Sequence, residues 1–259
     1  LFILEGIPSV LLGMSVLFFL PDGPADAAWL SADERAWLDA DRALEDGRRV
    51  EAGGSDKLSA LADKRVWILV GLYLAVAIGT NATGAYLPKL IKDSFQPQLV
   101  GPQGDTTGVF WKVGLLSVLP QVAAVVFMLV ASRISDASGR RSPVVLVMLV
   151  VAAAGWMLAA APVGPWGKLL GLSLAQAGMM AVLPVFWALP SLFLGGAAAA
   201  AGIALVNSVA NGGGIFAPKL VGSFGVAPMA GVMAGGIGMA LLAWWHVERR
   251  TAGTPEATG

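Results

Sequence analysis

Apolar residues fill seven stretches of this chain, each close to 20 positions long: 1–20, 67–88, 111–131, 143–161, 168–190, 197–218 and 226–245. An α-helix rises about 1.5 Å per residue, so about 20 apolar residues cross the ~30 Å hydrocarbon of a bilayer. The pattern predicts seven membrane-spanning helices. Pro8, Pro120, Pro184, Gly178 and Gly202 lie inside them, which membrane helices tolerate because neighbours re-satisfy the freed backbone groups. Pro120 and Pro184 are expected to kink their helices. Trp67, Trp111, Trp166, Trp244 and Trp245 fall at span edges, where an apolar ring with one polar atom suits the interface.

Polar positions concentrate between the first two spans. Of 34 charged residues, 18 lie between Pro21 and Arg65. Within that insert, Ser31-Ala32-Asp33-Glu34 has the spacing of a capping box. Trp29, Leu30, Trp37, Leu38 and Leu44 then form an apolar stripe opposite Asp33, Arg35, Asp39 and Arg42. We read this segment as an amphipathic linker helix, followed by a flexible stretch at 51–59. If the first span runs inward, one side of the membrane receives twelve Lys and Arg, at 21–66, 132–142 and after Trp245. The other side receives five: Lys89, Lys92, Lys112, Lys168 and Lys219. The positive-inside rule then places the insert and the C-terminus in the cytoplasm. Lys219 is expected to snorkel to the interface, and Glu5 to be an interfacial or packing carboxylate near the outer end of its span.

Composition agrees and narrows the chemistry. Hydrophobic residues make up 56% of the 259 positions and charged ones 13%, against about 45–50% and about 25% in soluble domains. Formal net charge is zero without a basic tract, which gives no footing for nucleic acid. No Cys and one His leave no thiolate site and no His-pair zinc site. No intramembrane Asp pair, Ser–His or Ser–Lys set stands out either, so no enzyme and no cofactor is expected. The chain opens on apolar Leu1 without Met or a basic leader region, and reads as a fragment rather than as a signal peptide.

Polar residues inside spans carry the functional signal, because each is costly in hydrocarbon. From Trp67 to Trp245 the spans hold no interior Asp or Glu. Their polar groups are neutral and unevenly shared. The second span has Thr80, Asn81 and Thr83; the third, Ser117 and Gln121; the fifth, Ser173, Gln176 and Ser191; the sixth, Asn207, Ser208 and Asn211. The fourth and seventh have essentially none. Two triplets thus follow the first span, each with two polar members and a plain third, as expected if the polar helices line a wet cavity. Asn207 and Asn211 lie one turn apart on one face, as do Trp187 and Ser191. Thr80, Thr83 and Tyr86 share a neighbouring strip. Such amides and aromatics could hold a small polar organic molecule, or could join helices by interhelical hydrogen bonds. For Asn207 and Asn211, beside Gly212-Gly213-Gly214, we favour the cavity, since the glycines permit close approach and local bending. The pairs Gly167/Gly171 and Gly231/Gly235 have the spacing for tight helix contacts.

Three stretches carry a family resemblance. The segment 132–141, with Asp136, Gly139, Arg140 and Arg141, resembles the cytoplasmic signature G-x-x-x-D-[RK]-x-G-[RK]-[RK] of the major facilitator superfamily in its second-half copy. Ser132 replaces its Gly and Ala137 its first basic residue. The run from Phe186-Trp187-Ala188-Leu189-Pro190-Ser191 through Asn207 to Asn211-Gly212-Gly213 is similar to the tenth and eleventh helices of that family's anion:cation symporter branch, which includes sugar-acid, tartrate and phthalate permeases. The start, Glu5-Gly6-Ile7-Pro8 and then Leu20-Pro21-Asp22, resembles the sixth helix entering the central loop.

The resemblance implies an all-α membrane protein: the C-terminal six-helix half of a twelve-helix fold, with the preceding sixth helix and central cytoplasmic loop. Residues 1–20 would be that sixth helix, 21–66 the loop, 67–245 the C-terminal transmembrane domain and 246–259 a cytoplasmic tail. It implies a multi-pass protein of the cell (inner) membrane that carries a small organic anion by alternating access, with a proton or other cation coupled. Its partners would be the anion, the coupling cation, the bilayer and the N-terminal half of the same protein. Asn81, Tyr86, Gln121, Trp187, Ser191, Asn207 and Asn211 are the candidate substrate-binding residues. Asp136, Gly139, Arg140 and Arg141 would form a cytoplasmic gate motif. A transporter-derived sensor or scaffold is the alternative reading. A seven-helix receptor is a weaker one, and the last span lacks the mid-helix Lys that a retinal pigment would need.

Overall fold

A computed structural model describes residues 2–21, 23–51, 61–99, 108–194 and 196–248. Of the expected flexible stretch at 51–59, Glu51 closes a helix and the rest lies outside the described residues, as do the side chain of Glu5 and the tail from 249 onward. The chain divides into two compact units, Leu1–Gly54 and Ser55–Gly259.

The first unit holds α1 (Phe2–Phe19), which runs on through Pro8, and α2 (Ala32–Glu51). The capping box forms as the spacing predicts. Ser31 N–H and Oγ–H both donate to Glu34 Oε2, at 2.9 and 2.8 Å, and Glu34 N–H donates back to Ser31 Oγ at 3.3 Å. Arg35 Nη2 donates to the Ala27 carbonyl at 2.8 Å and pins the helix to the turn before it. The backbone N–H of Ser31, then its hydroxyl, hold the Glu34 carboxyl below its usual range. A carboxylate depressed on folding contributes above its unfolded pKa, and that contribution disappears as pH falls through the folded value. The circular-dichroism signal of a peptide spanning residues 24–51 should therefore lose helicity between about pH 5 and about pH 3. Ser31→Ala should remove a share of that pH dependence. Superimposable titrations of the two peptides would show that the box contributes nothing.

Among the described residues, the second unit contains six helices long and apolar enough to cross a membrane. They are α3 (Lys64–Leu99), α4 (Val109–Ser138), α5 (Arg141–Ala160), α6 (Pro165–Phe186), α7 (Gly196–Gly213) with its continuation α8 (Phe216–Phe224), and α9 (Ala227–Ala243), which ends in a π-helical turn at Trp244–Glu248. Several exceed the apolar windows because polar residues continue the helix past the hydrocarbon, as Lys89 to Asp93 do in α3. Short linkers reverse the chain. Gly139, at φ 64°, closes α4 in the left-handed conformation that glycine adopts without a Cβ penalty, and α5 starts two residues later. We call the end carrying Arg65, Arg141 and Val247 the basic end.

Two spans differ from the simple pattern. The fifth stops at Phe186, two residues after Pro184, and passes through turns into a 3-10 turn at Pro190–Leu192. Pro184 cannot donate a helical N–H and Pro190 repeats the interruption. The sixth breaks between Gly213 and Phe216, and Pro218 sits in the first turn of the restarted helix, where its missing N–H costs little. Pro120, by contrast, is carried inside a continuous α4.

The core lies among α3, α5, α6 and α9, with Leu69, Leu72, Leu149, Trp156, Met179, Phe186, Met229 and Met233 almost wholly buried. The plain fourth span, α5, is half buried because one face packs along α6. Glycines set that contact. A Cβ on Gly171 would lie 2.5 Å from the Ala159 backbone N, and one on Gly178 would lie 2.5 Å from the Met148 carbonyl O. Of the two glycine pairs expected to make helix contacts, only Gly171 meets another helix: Gly167 faces Val163, and Gly231 and Gly235 face open space. Gly236 takes their place, against Ala75 of α3.

Candidate functional site

Depth along each helix sorts the polar residues into three layers. Asn81 is near the middle of the span Lys64–Gln96, and Asn207 and Asn211 are central in Ala198–Phe224. Gln121 lies 12 residues from the start of α4 and Gln176 lies 11 from the start of α6, depths of about 18 and about 16 Å at 1.5 Å per residue. Both helices start at the end opposite the basic one, so the two glutamines fall at one level.

At this level α3 and α7 meet closely. A Cβ on Gly214 would come within 2.5 Å of Asn81 Nδ2 and 3.1 Å of the Asn211 carbonyl O, while Gly213 abuts Leu74. Asn81 Nδ2 donates to the Ala77 carbonyl at 2.8 Å. Asn211 Nδ2 donates to both the carbonyl and Oδ1 of Asn207, at 2.9 and 2.8 Å. Those bonds occupy Asn211's donors and leave its Oδ1 as an acceptor, whereas Asn207 keeps its own NH2 as a donor. All three asparagines are exposed. Gln121 is exposed as well and accepts from Gln176 Nε2 across α4 and α6 at 3.3 Å. The middle layer thus offers both donors and acceptors and carries no formal charge.

Tyr86 lies above this layer, away from the basic end. Its hydroxyl donates to the Pro218 carbonyl at 3.0 Å and packs on Gly222, tying α3 to α8.

Trp187 and Ser191 lie toward the basic end, where α6 unwinds. Trp187 packs edge-on against Tyr73 and Phe186, with ring centroids 5.0 and 5.2 Å apart. Ser191 Oγ donates to the Ala188 carbonyl at 2.9 Å. The same carbonyl accepts from Arg141 Nη1 at 2.6 Å, so a residue of the α4–α5 turn caps the broken end of α6. Gly139 supplies the turn; Asp136 and Arg140 are exposed beside it. Arg65 completes this end, its guanidinium 4.4 Å from the Phe193 ring and 2.7 Å from Asp63. Burial pushes the Asp63 carboxyl up, but the hydrogen bonds and charge of Arg65 outweigh it and hold Asp63 below its usual range.

In the sequence Gln176 stands among the polar residues of the cavity-lining spans without an assigned partner, and Tyr73 and Arg65 carry no assignment there. The equal depths of Gln121 and Gln176 were the available signal for the first. Nothing in the sequence pairs Tyr73 or Arg65 with the loop after α6.

Comparison with known proteins identifies the family. The model of the Major Facilitator Superfamily matches residues 1–218. A protein of Agrobacterium vitis named for tartrate transport is 35% identical over 92% of this chain and 51% of its own length. The inner membrane transport protein RhmT of Escherichia coli is 33% identical over 85% of this chain and 48% of its own. A quinolone resistance transporter of Acinetobacter baumannii is 31% identical over 92% of this chain and 52% of its own. The chain spans about half the length of these curated relatives. Six membrane-capable helices form half of such a fold, and on that architecture and the match over residues 1–218 the chain belongs to the Major Facilitator Superfamily.

Proposed function

We propose that this chain is one wall of a secondary transporter for a small organic anion, a tartrate-like or sugar acid, moved by alternating access and coupled to protons. The observation that carries the reading is the uncharged amide layer at mid-span. Free NH2 groups on Asn207 and Gln121 suit carboxylate or carbonyl oxygens, and the Oδ1 atoms of Asn81 and Asn211 suit hydroxyls. A hydroxy acid presents both. The relative named for tartrate transport supports this class. Neutral amides bind without the desolvation cost of a fixed charge in hydrocarbon, so the opposite half would supply the positive charge and the titrating carboxylates.

In this reading residues 1–20 are the sixth span and 67–245 the C-terminal domain, both in the inner membrane, with the joining loop 21–66 and the tail 246–259 on its cytoplasmic side. The Arg141 cap on α6 supports a gating role for the turn with Asp136, Gly139 and Arg140. The test is uptake by the full-length protein in proteoliposomes, with labelled tartrate, sugar acids, phthalate and a quinolone as the panel. Saturable uptake of at least one acid, abolished by a protonophore, is the expected result, with none by residues 1–259 alone. Absence of uptake across the panel, or uptake indifferent to the proton gradient, would overturn the reading.

A further inference from the structure

We infer that Gln176 is a positioning residue of the site, holding the Gln121 amide with its NH2 turned toward a substrate oxygen. This rests on the transporter reading above and adds to it an atom and a polarity. Gln121 lines a cavity of about 300 Å³ between α3 and α4, together with Thr83, Leu87, Gly114 and Ser117. The hydroxyls there point inward to their own helices: Thr83 Oγ1 donates to the Thr80 carbonyl at 3.0 Å and Ser117 Oγ to the Val113 carbonyl at 2.8 Å. Their remaining lone pairs can only accept. Gln121 Nε2 is therefore the side-chain donor of this wall, left free because it is Gln121 Oε1 that Gln176 Nε2 engages.

Gln176 shows which end of its amide matters. Its side chain is almost wholly buried, 5% exposed, and its Oε1 has no hydrogen-bond partner. A buried carbonyl without a partner is costly. A glutamine kept only to join helices would satisfy both amide ends; this one leaves the acceptor orphaned and spends its donor on Gln121. Reversing Gln121 would set two NH2 groups against each other and turn a carbonyl toward the substrate, a repulsive face for a carboxylate. The pair thus selects ligands that present an acceptor oxygen to α4.

The experiment uses the full-length protein in proteoliposomes and whichever panel acid it transports best. Gln176→Leu should raise KM about tenfold and leave the maximal rate within twofold, since Gln121 loses its fixed orientation but not its place. Gln176→Glu separates positioning from packing. An ionised carboxylate accepts from Gln121 and reverses it, whereas a protonated one donates as the amide does. The KM ratio of Gln176→Glu to wild type should therefore shrink toward one as pH is lowered from 8 to 5.5, a trend a packing defect would not produce. Gln121→Glu, at an exposed position that leaves the fold intact, should raise KM at least tenfold. Wild-type uptake with KM unchanged in Gln121→Glu, or a ratio in Gln176→Glu that stays well above one at every pH, overturns this inference and spares the transporter reading. No wild-type uptake of any acid overturns both.

Discussion

Gly214→Ala is expected to lower uptake by the full-length protein at least tenfold while leaving the amount and thermal stability of folded protein unchanged. The added Cβ would sit 2.5 Å from Asn81 Nδ2 and 3.0 Å from Asn81 Cγ. Those atoms belong to the end of a flexible side chain, so Asn81 can swing away without moving α3, but it then gives up its bond to the Ala77 carbonyl and its place beside Asn211. Gly214 is outside the left-handed region, so alanine can adopt its backbone conformation, and the 3.1 Å approach to the Asn211 carbonyl O asks for a shift of a few tenths of an ångström, so the loss falls mainly on the site. Tenfold corresponds to about 1.4 kcal/mol of transition-state binding, the scale of one or two displaced hydrogen bonds. Gly212→Ala is the control, because a Cβ there meets nothing within 4 Å, and its uptake should match the wild type. Equal uptake by both variants would remove the Asn81–Gly214 contact from the site.

The same glycine run shows how far sequence reasoning reaches. Three glycines in a row beside two asparagines on one face predict a bend near polar groups, and the helix does break between Gly213 and Phe216. Local chemistry suffices there, since conformational freedom and a following Pro218 are properties of the segment itself. The capping box at Ser31 and the turn at Gly139 are legible for the same reason. What adjoins the break is not local. Asn81 lies 133 residues before Gly214, and only the packing of α3 on α7 and α8 brings them together. Trp187 shows the converse error: it sits on a face with Ser191 by helical spacing, but the helix carrying it ends at Phe186. A periodicity argument cannot see the stop, because Pro184 in a membrane span permits either a kink or an end.

Gly155→Ala is expected to destabilise the whole second unit, by an amount at or above the upper end of the about 1–3 kcal/mol typical of overpacking. Its Cβ would fall against the Ala175 backbone N, 2.7 Å from the Gly171 carbonyl O and 2.8 Å from Ala175 Cα. Each obstacle is backbone of α6, so no side chain can yield, and α5 must move bodily outward. Gly171 and Gly178 make equivalent approaches from the other helix, so displacement at one point opens all three. In hydrocarbon the apolar effect does not drive helices together; close packing and weak polar contacts do, which makes this seam a principal source of cohesion between α5 and α6. The spacing rule missed Gly155 because its partners lie on the facing helix, at Gly171 and Ala175, rather than four residues away on its own. Thermal unfolding of the detergent-purified protein checks the expectation, with Gly231→Ala beside it. A Cβ at Gly231 meets nothing within 4 Å, and alanine there should hold or slightly raise the unfolding temperature through its better helix propensity. Should Gly155→Ala unfold at the wild-type temperature, the α5–α6 seam would be looser than these distances describe.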